Sequence, residues 1–286
     1  MTITIAWTRT VSATSELLIA SDSRLTSAGH VDVCQKIFPL QRGDSFFGFC
    51  GQTILAFPIV FQIISTIANF KKYQDRTKDV IDLVSVILAV INSFGEAWRD
   101  TVVDDERSSN METKFIFGGW SWKRNKFYVF PIHYNIKTSK FQVYTHKKKI
   151  RALGLADDEK CIVIGNYAPE FYQLLREELA GREAMDYEPL RVLSNMLQTN
   201  RFIDRRSSET FYVDKKPGLI GGAPQVLKIY KHSNVKPIAI RWPNSDKGKS
   251  DITLFGRHLF SYEKTLNTIY DPIKNSFLYP LEGVSN

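Results

Sequence analysis

The residue that follows the initiator methionine, Thr2, begins a stretch, TITIAWTRT, whose alternating apolar and polar side chains predict a β-strand. A chain end is usually frayed, whereas one laid directly into a sheet is held in place. A threonine hydroxyl is a weak nucleophile until a base removes its proton. An α-amine, with an ordinary pKa of about 7.7–8.0, can be that base near neutral pH. After removal of Met1, Thr2 would carry both groups; the alternative is an ordinary strand threonine.

The other reactive side chains do not form a pattern typical of a metal site or a disulfide framework. Three cysteines, Cys34, Cys50 and Cys161, are odd in number and lack CxxC spacing. The five histidines are scattered and form no HExxH motif. We therefore expect neither a bound metal nor any other cofactor.

Charge and hydropathy narrow the classes of partner. The formal net charge is +8, but the basic runs at residues 70–76 and 146–151 are short, and we interpret them as solvated faces rather than a nucleic-acid site. The longest uncharged apolar run, residues 53–68, contains a proline and is shorter than the roughly 20 residues of a membrane span, which favours a buried helix. No leader precedes the first strand, so we expect a cytoplasmic protein.

The order of periodic segments predicts an α+β fold. Strands are predicted near residues 2–10, 16–24, 44–50, 114–122, 126–135, 141–149, 160–167, 221–232 and 235–243, and helices at 52–70, 77–100, 169–181 and 187–202. Helix 77–100 is apolar nearly all round, which predicts a position between layers. Strands, two helices, strands, two helices and strands together predict a four-layer αββα sandwich, with helices outside two packed antiparallel sheets.

One linker candidate divides the chain. The stretch PNSDKGKSD at residues 243–251 leaves a tail too short to fold alone. We therefore predict one domain over residues 1–243. Residues 244–286 are predicted to be a linker and a C-terminal extension that packs on the domain or on a neighbouring subunit.

Four segments occur in an informative order within the first 57 residues. They are TITIAW, IASDSRLTSAG, the lysine of QKIFPL and GFCGQTILAF. Together they resemble the first third of proteasome β-subunits and their bacterial HslV-type relatives, which are N-terminal nucleophile (Ntn) hydrolases of the αββα fold. The resemblance implies that Thr2 is the nucleophile of a threonine-type peptidase and that its own α-amine is the base.

The resemblance also assigns roles to three further residues. Lys36 matches the lysine whose ammonium favours the neutral amine and the developing alkoxide. Asp22 matches the aspartate that pairs with that lysine, and Gly48 matches the glycine whose N–H group forms the oxyanion hole. Taken singly, each has an ordinary interpretation: a turn aspartate, a surface lysine and a strand glycine.

Two supporting positions differ from the family. Asn166 stands where the family has a serine, and Ile220 stands where it has a second serine, just before the glycine pair Gly221 and Gly222. Asp214 lies a few residues earlier than the family's aspartate. These changes are compatible with a retuned site or with one that no longer works.

The resemblance implies a pocket for the residue that precedes the cut bond. Its predicted lining is Leu25, Cys34, Phe46 and Cys50, which together suit a hydrophobic side chain. Leu25 and Phe46 are equally good core residues.

The function implied is hydrolysis of peptide bonds in a peptide or unfolded protein, within a homo-oligomeric ring or other assembly that an ATPase or regulatory partner serves. Three alternatives stay open. They are a catalytically silent scaffold or binding subunit of the same fold, an amidohydrolase acting on a small non-peptide amide, and a nucleic-acid-binding protein whose affinity falls steeply with salt.

Overall fold

A computed structural model describes residues 2–26, 30–99, 112–144, 161–180, 182, 184–199, 201–203, 210–212, 220–232, 234–244 and 249–280. Within these residues it combines helices with several antiparallel sheets, which agrees with the predicted α+β class. The strands are β1 Ile3–Val11, β2 Thr14–Ser21, β3 Leu25–Thr26, β4 His30–Val31, β5 Ile37–Pro39, β6 Ser45–Cys50, β7 Lys114–Ser121, β8 Lys126–Asn135, β9 Lys140–Val143, β10 Cys161–Gly165, β11 Arg201–Ile203, β12 Thr210–Tyr212, β13 Gln225–Tyr230, β14 Asn234–Asn244, β15 Lys249–Leu254, β16 Arg257–His258, β17 Ile269–Asp271 and β18 Ser276–Leu278. The helices are α1 Thr53–Asn69, α2 Lys71–Gln74, α3 Val80–Arg99, α4 Ala168–Leu179 and α5 Glu188–Thr199.

Most strands belong to two large sheets. Sheet 1 follows the order β10-β1-β2-β13-β14-β15-β16, with β17 paired to β14 and β18 paired to β17. Sheet 2 follows the order β5-β6-β7-β8-β9. All pairs in both sheets are antiparallel except β14 with β17. Strand β1 lies between β10 and β2, so that Thr4 is opposite both Ile164 and Ser21. The N-terminal strand is therefore an interior strand of sheet 1.

Three apolar clusters follow from the period-two pattern of the strands. On β1, Ile3, Ile5 and Trp7 pack with buried residues of α4 and α5. On the opposite face of β1, Ala6 packs with side chains of both sheets, including Ile116 of β7. The third cluster joins the other face of sheet 2 to α1 and α3. Each sheet therefore contacts the other sheet on one face and helices on the other.

Helix α3 begins at a side-chain cap and lies on the outer side of sheet 2. Asp79 accepts hydrogen bonds from the N–H groups of Ile81, at 2.9 Å, and Lys123, at 3.1 Å, which fixes the helix start. By length and composition, residues 80–97 could cross a membrane, but one stripe of them is buried in the cluster with sheet 2. The other apolar residues of α3 are only half-buried, whereas their all-round pattern predicted a helix enclosed between layers.

The C-terminal segment extends sheet 1. Strand β14 continues to Asn244 and β15 pairs with it from Lys249, so strands occupy most of the predicted linker at residues 243–251. Further along, Tyr270 of β17 is fully buried, and its ring lies 4.9 Å from that of Phe277 and 6.4 Å from that of Tyr187. The described part of the extension, residues 249–280, therefore packs on the same chain's sheet 1.

Candidate active site

Thr2 lies immediately before β1, and its backbone is fixed from two sides. The Thr2 carbonyl accepts a hydrogen bond from the Asn166 N–H group at 3.2 Å. The next residue, Ile3, donates its N–H to Asp22 Oδ1 at 3.2 Å and accepts one from the Asp22 N–H at 3.3 Å. Thr2 itself is 2% exposed. These contacts fix the backbone from which the Thr2 side chain projects.

The Lys36 ammonium joins the Thr2 hydroxyl to a carboxylate. Lys36 Nζ lies 2.9 Å from Thr2 Oγ1 and 2.9 Å from Asp22 Oδ1. Its third acceptor is the Arg24 carbonyl, at 2.5 Å. The lysine and aspartate side chains are both fully buried. An ammonium has three donors, and here each has an acceptor.

The Asp22 carboxyl accepts hydrogen bonds from four donors. Besides Lys36, these are the N–H groups of Ile3, Arg24 and Gly221, at 3.2, 3.3 and 3.3 Å. Complete burial raises the pKa of Asp22, and the nearby Lys36 ammonium opposes that rise. The lysine and the aspartate therefore depend on each other for a charged state inside the protein.

Gly48 lies beside the residue that carries the ammonium. It pairs with Ile37 of β5, and a Cβ at this position would lie 3.3 Å from the Lys36 carbonyl oxygen and 3.2 Å from Ile116 Cγ2. A larger residue would therefore press on the segment that positions Lys36. The predicted donation of the Gly48 N–H to an oxyanion stays a prediction.

The residues predicted to support the site have different surroundings. Gly221 donates its N–H to Asp22, and Gly222 has a φ of +72° and lies against Ser23, where a Cβ would be 2.3 Å from the hydroxyl oxygen. Asn166 is exposed and contributes its backbone N–H to Thr2. Ile220 is fully buried in the apolar cluster of sheet 1, α4 and α5. Met1 and Asp214 lie outside the described residues.

The four residues predicted to line one substrate pocket differ in burial, and their common role in a pocket stays a prediction. Leu25 is half-buried on β3, and Cys34 is buried, with its N–H donating to the Ser23 carbonyl at 3.0 Å. Phe46 and Cys50 belong to the cluster between the sheets. Burial raises the pKa of the Cys34 thiol to about 11 and that of Cys50 to about 12, so both are neutral at physiological pH.

A cavity of about 560 Å³ is lined in part by Gly165 and Asn166, which contact the Thr2 backbone, and Thr2 itself is not among the lining residues. Gly165, with a φ of +124°, approaches Thr2 so closely that a Cβ would lie 2.1 Å from the Thr2 carbonyl oxygen. Cys50, one of the residues predicted to contact substrate, also lines the cavity. Its complete lining is Cys50, Gly51, Glu112, Lys114, His133, Tyr144, Val163, Ile164, Gly165, Asn166, Ala168 and Pro169.

Comparisons with known proteins support the fold. No protein-family model matches the chain, and no curated protein matches it. Among solved structures it is similar to a Gly-1 mutant of Anbu from Hyphomicrobium sp. strain MC1, with a TM-score of 0.50 and 15% identity over 83% of this chain and 87% of that one. Anbu is a homologue of the HslV and proteasome Ntn peptidases. At this identity the likeness establishes a proteasome-like fold alone.

Sequence reasoning missed Gln225, which is fully buried behind the lysine. Its Oε1 accepts the Lys36 N–H at 3.0 Å, and its Nε2 donates to the Cys34 carbonyl and, at 3.3 Å, to the Asp22 carbonyl. One amide thus ties together the two segments that carry the ion pair. Its sequence signal is a polar residue at the start of the otherwise apolar-patterned strand QVLKIY.

Candidate metal ligands do not cluster. In the part of the chain that the structure describes, no group of three histidine, cysteine, aspartate or glutamate side chains could hold a metal ion. The three cysteines are all buried free thiols.

Proposed function

We propose that this chain is a threonine-type peptidase whose nucleophile is Thr2, freed by removal of Met1. The observation that carries the proposal is the contact of one buried ammonium, Lys36 Nζ, with Thr2 Oγ1 and Asp22 Oδ1, each at 2.9 Å. A hydroxyl beside a fixed, buried positive charge is easier to deprotonate, because the charge stabilises the alkoxide in a site of low dielectric. Here the charge has a fixed position and needs no rearrangement during the reaction.

The reaction proceeds by acyl transfer. The free α-amine of Thr2 takes the Oγ1 proton, Oγ1 bonds to the substrate carbonyl carbon, and the carbonyl oxygen becomes an oxyanion that accepts the Gly48 N–H. The C–N bond then breaks as the α-ammonium returns its proton to the departing nitrogen, leaving an ester on Thr2. Water, deprotonated by the amine, attacks the ester, and Oγ1 leaves and regains a proton. Lys36 takes no part in these proton transfers.

The finer fold assignment belongs to the same proposal: a four-layer αββα sandwich of the Ntn-hydrolase type. Two observations support it. One apolar cluster lies between the two sheets, and one lies between each sheet and its helices. The likeness to Anbu points the same way.

Assembly into a homo-oligomer is the third part of the proposal. Helix α1 exposes large apolar side chains, with Ile54 60%, Phe61 60% and, just beyond it, Phe70 58% exposed. Ile54 and Phe61 are seven residues apart and so share one face of α1, and exposed apolar side chains that share a face support an interface there. We further propose a cytoplasmic location, peptide or unfolded-protein substrates that enter the cavity beside Thr2, and delivery by an ATPase or regulatory partner.

A catalytically silent scaffold or binding subunit of the same fold is the second candidate. The observation that favours it is Ile220, which fills the apolar cluster at the position where the related peptidases have a serine. A scaffold would keep the Lys36–Asp22 pair for stability alone.

Peptide hydrolysis by matched variants separates the two candidates. The assay uses fluorogenic peptides with apolar residues before the cut bond, and compares the wild type with Thr2→Ala and Thr2→Ser. Both substitutions keep a small second residue, so Met1 is still removed. The peptidase proposal predicts that Thr2→Ser retains part of the activity and that Thr2→Ala loses it. Equal rates for the wild type and Thr2→Ala would refute it.

A further inference from the structure

A second cavity, of about 520 Å³, opens between the two sheets at the far end of β1. It begins at Thr8, six residues beyond Thr2, and an antiparallel strand rises about 3.4 Å per residue, so the two sites are roughly 20 Å apart. We propose that this cavity binds a small anion that carries an aromatic ring, of the nucleoside monophosphate class. The proposal is independent of peptidase activity.

The floor of the cavity is polar where the rest of the inter-sheet layer is apolar. Alternate residues of a strand share a face, so Thr8 and Thr10 lie on the same face of β1 as Ala6. Ala6 belongs to the apolar cluster between the sheets, whereas both threonines line the cavity. On the neighbouring strand, Ser15 lies opposite Thr10 and lines the cavity too, while Leu17 belongs to the cluster. The hydroxyl groups of Thr8, Thr10 and Ser15 therefore line the cavity, where apolar side chains fill the rest of the layer between the sheets.

The charge at the cavity is positive. Lys126 and Lys231 line it, and of the described residues around it none carries a carboxylate. The Lys126 ammonium lies 5.4 Å from the centre of the Tyr128 ring. Asn125, in the turn before β8, adds a side-chain amide. Two ammonium groups together with hydroxyl and amide donors suit a phosphate.

The remaining walls are aromatic or aliphatic. Trp120 and Phe127 meet edge to face, with ring centres 4.9 Å apart, and both line the cavity. Val129 and Ile162 continue this apolar surface. The volume lies within the range of about 300–1,000 Å³ that is typical of small-molecule sites. An aromatic ring can therefore pack on one wall while its charged group meets the lysines.

Calorimetric titration of the full-length protein with AMP tests the proposal. The key variant is Lys126→Ala/Lys231→Ala. Its matched control is Lys137→Ala/Lys274→Ala, which removes the same charge at two exposed positions outside the cavity. We expect saturable binding of one AMP per chain, an affinity at least tenfold weaker in the cavity variant, and an unchanged affinity in the control. Far-UV circular dichroism checks that both variants are folded.

Two further ligands and one further variant test the parts of the inference separately. Adenosine lacks the charge and inorganic phosphate lacks the ring, so each should bind at least tenfold more weakly than AMP. Thr8→Val/Thr10→Val replaces the hydroxyls with methyl groups and should also weaken AMP binding. No saturable AMP binding at millimolar concentration, or equal binding by the cavity variant and its control, would overturn the proposal. Adenosine or phosphate binding as tightly as AMP would do the same.

Discussion

The buried Lys36–Asp22 pair allows a prediction about stability that does not depend on catalysis. Both side chains are fully buried, with Nζ 2.9 Å from Oδ1. Lys36→Met leaves a carboxylate without its ammonium, and Asp22→Asn leaves an ammonium without its carboxylate. Removing one partner of a buried pair costs about 3–5 kcal/mol of unfolding free energy. The double variant loses less than the sum of the two single losses, by about 2 kcal/mol, because neither charge is then unpaired.

The pH dependence of Lys36→Met has a defined sign. Burial already raises the pKa of Asp22, and loss of the Lys36 ammonium removes the charge that opposes this. A carboxyl whose folded pKa lies above its unfolded value, about 3.9, holds its proton more tightly in the folded state. The stabilising contribution of this carboxyl to the unfolding free energy is complete below the unfolded pKa. It is lost as pH rises through the folded pKa, at up to about 1.4 kcal/mol per pH unit. The stability deficit of Lys36→Met relative to wild type therefore grows from acidic to neutral pH.

Urea unfolding of the wild type, both single variants and the double variant, near pH 5 and near pH 8, measures these free energies. Lys140→Met is the control, because its pair with Glu96 spans 3.8 Å and both side chains are more than half exposed. We expect that control to lose less than about 1 kcal/mol. Additive single losses, or a Lys36→Met deficit that does not change with pH, would refute the reasoning.

Four other experiments have expected outcomes. Gly165→Ala places a Cβ 2.1 Å from the Thr2 carbonyl at a φ of +124°, so it should lower the unfolding free energy by about 3 kcal/mol. Gly95→Ala in α3, where the nearest atom to the new Cβ would be 3.7 Å away, should raise it by up to about 1 kcal/mol, as thermal denaturation can check. Gln225→Leu removes the buried acceptor of the Lys36 N–H and should cost about 2 kcal/mol in urea unfolding; unchanged stability would contradict the assigned contacts. Since burial raises the pKa of the Cys34 and Cys50 thiols to about 11 and 12, a disulfide reagent at pH 8 should label the native protein slowly but three thiols after unfolding in guanidinium. Rapid labelling of the native protein would contradict this.

The first half of the fold could be predicted because local pattern and packing agree there. Strand β1 alternates over much of its length, whereas β2 contains the apolar run LLIA, and each strand has one face toward helices and one toward sheet 2. Thr2 lies just before β1, Asp22 just after β2 and Lys36 just before β5. Their convergence is predicted from the resemblance of these segments to a known family, not from the alternation of the strands. In the structure, the Lys36 ammonium lies within hydrogen-bonding distance of both Thr2 Oγ1 and Asp22 Oδ1.

Other features depend on contacts between distant segments. Strands β16, β17 and β18 have two or three residues each, too few for an alternation to be recognised. Gln225 acts through three backbone groups that lie 189, 191 and 203 residues away in the chain. Phe46 and Cys50 lie in a strand buried on both faces, whereas Leu25 is half-buried on β3. A single sequence gives no sign of which face such a residue occupies.

The central claim, that Thr2 is a working nucleophile, is tested most directly by intact mass spectrometry before and after incubation with a peptide epoxyketone. This reagent closes its ring only on a residue with both a free α-amine and a β-hydroxyl. We predict a mass that lacks methionine and gains one adduct, and no adduct on Thr2→Ala. Retention of Met1, or an adduct equally present on Thr2→Ala, would contradict the claim.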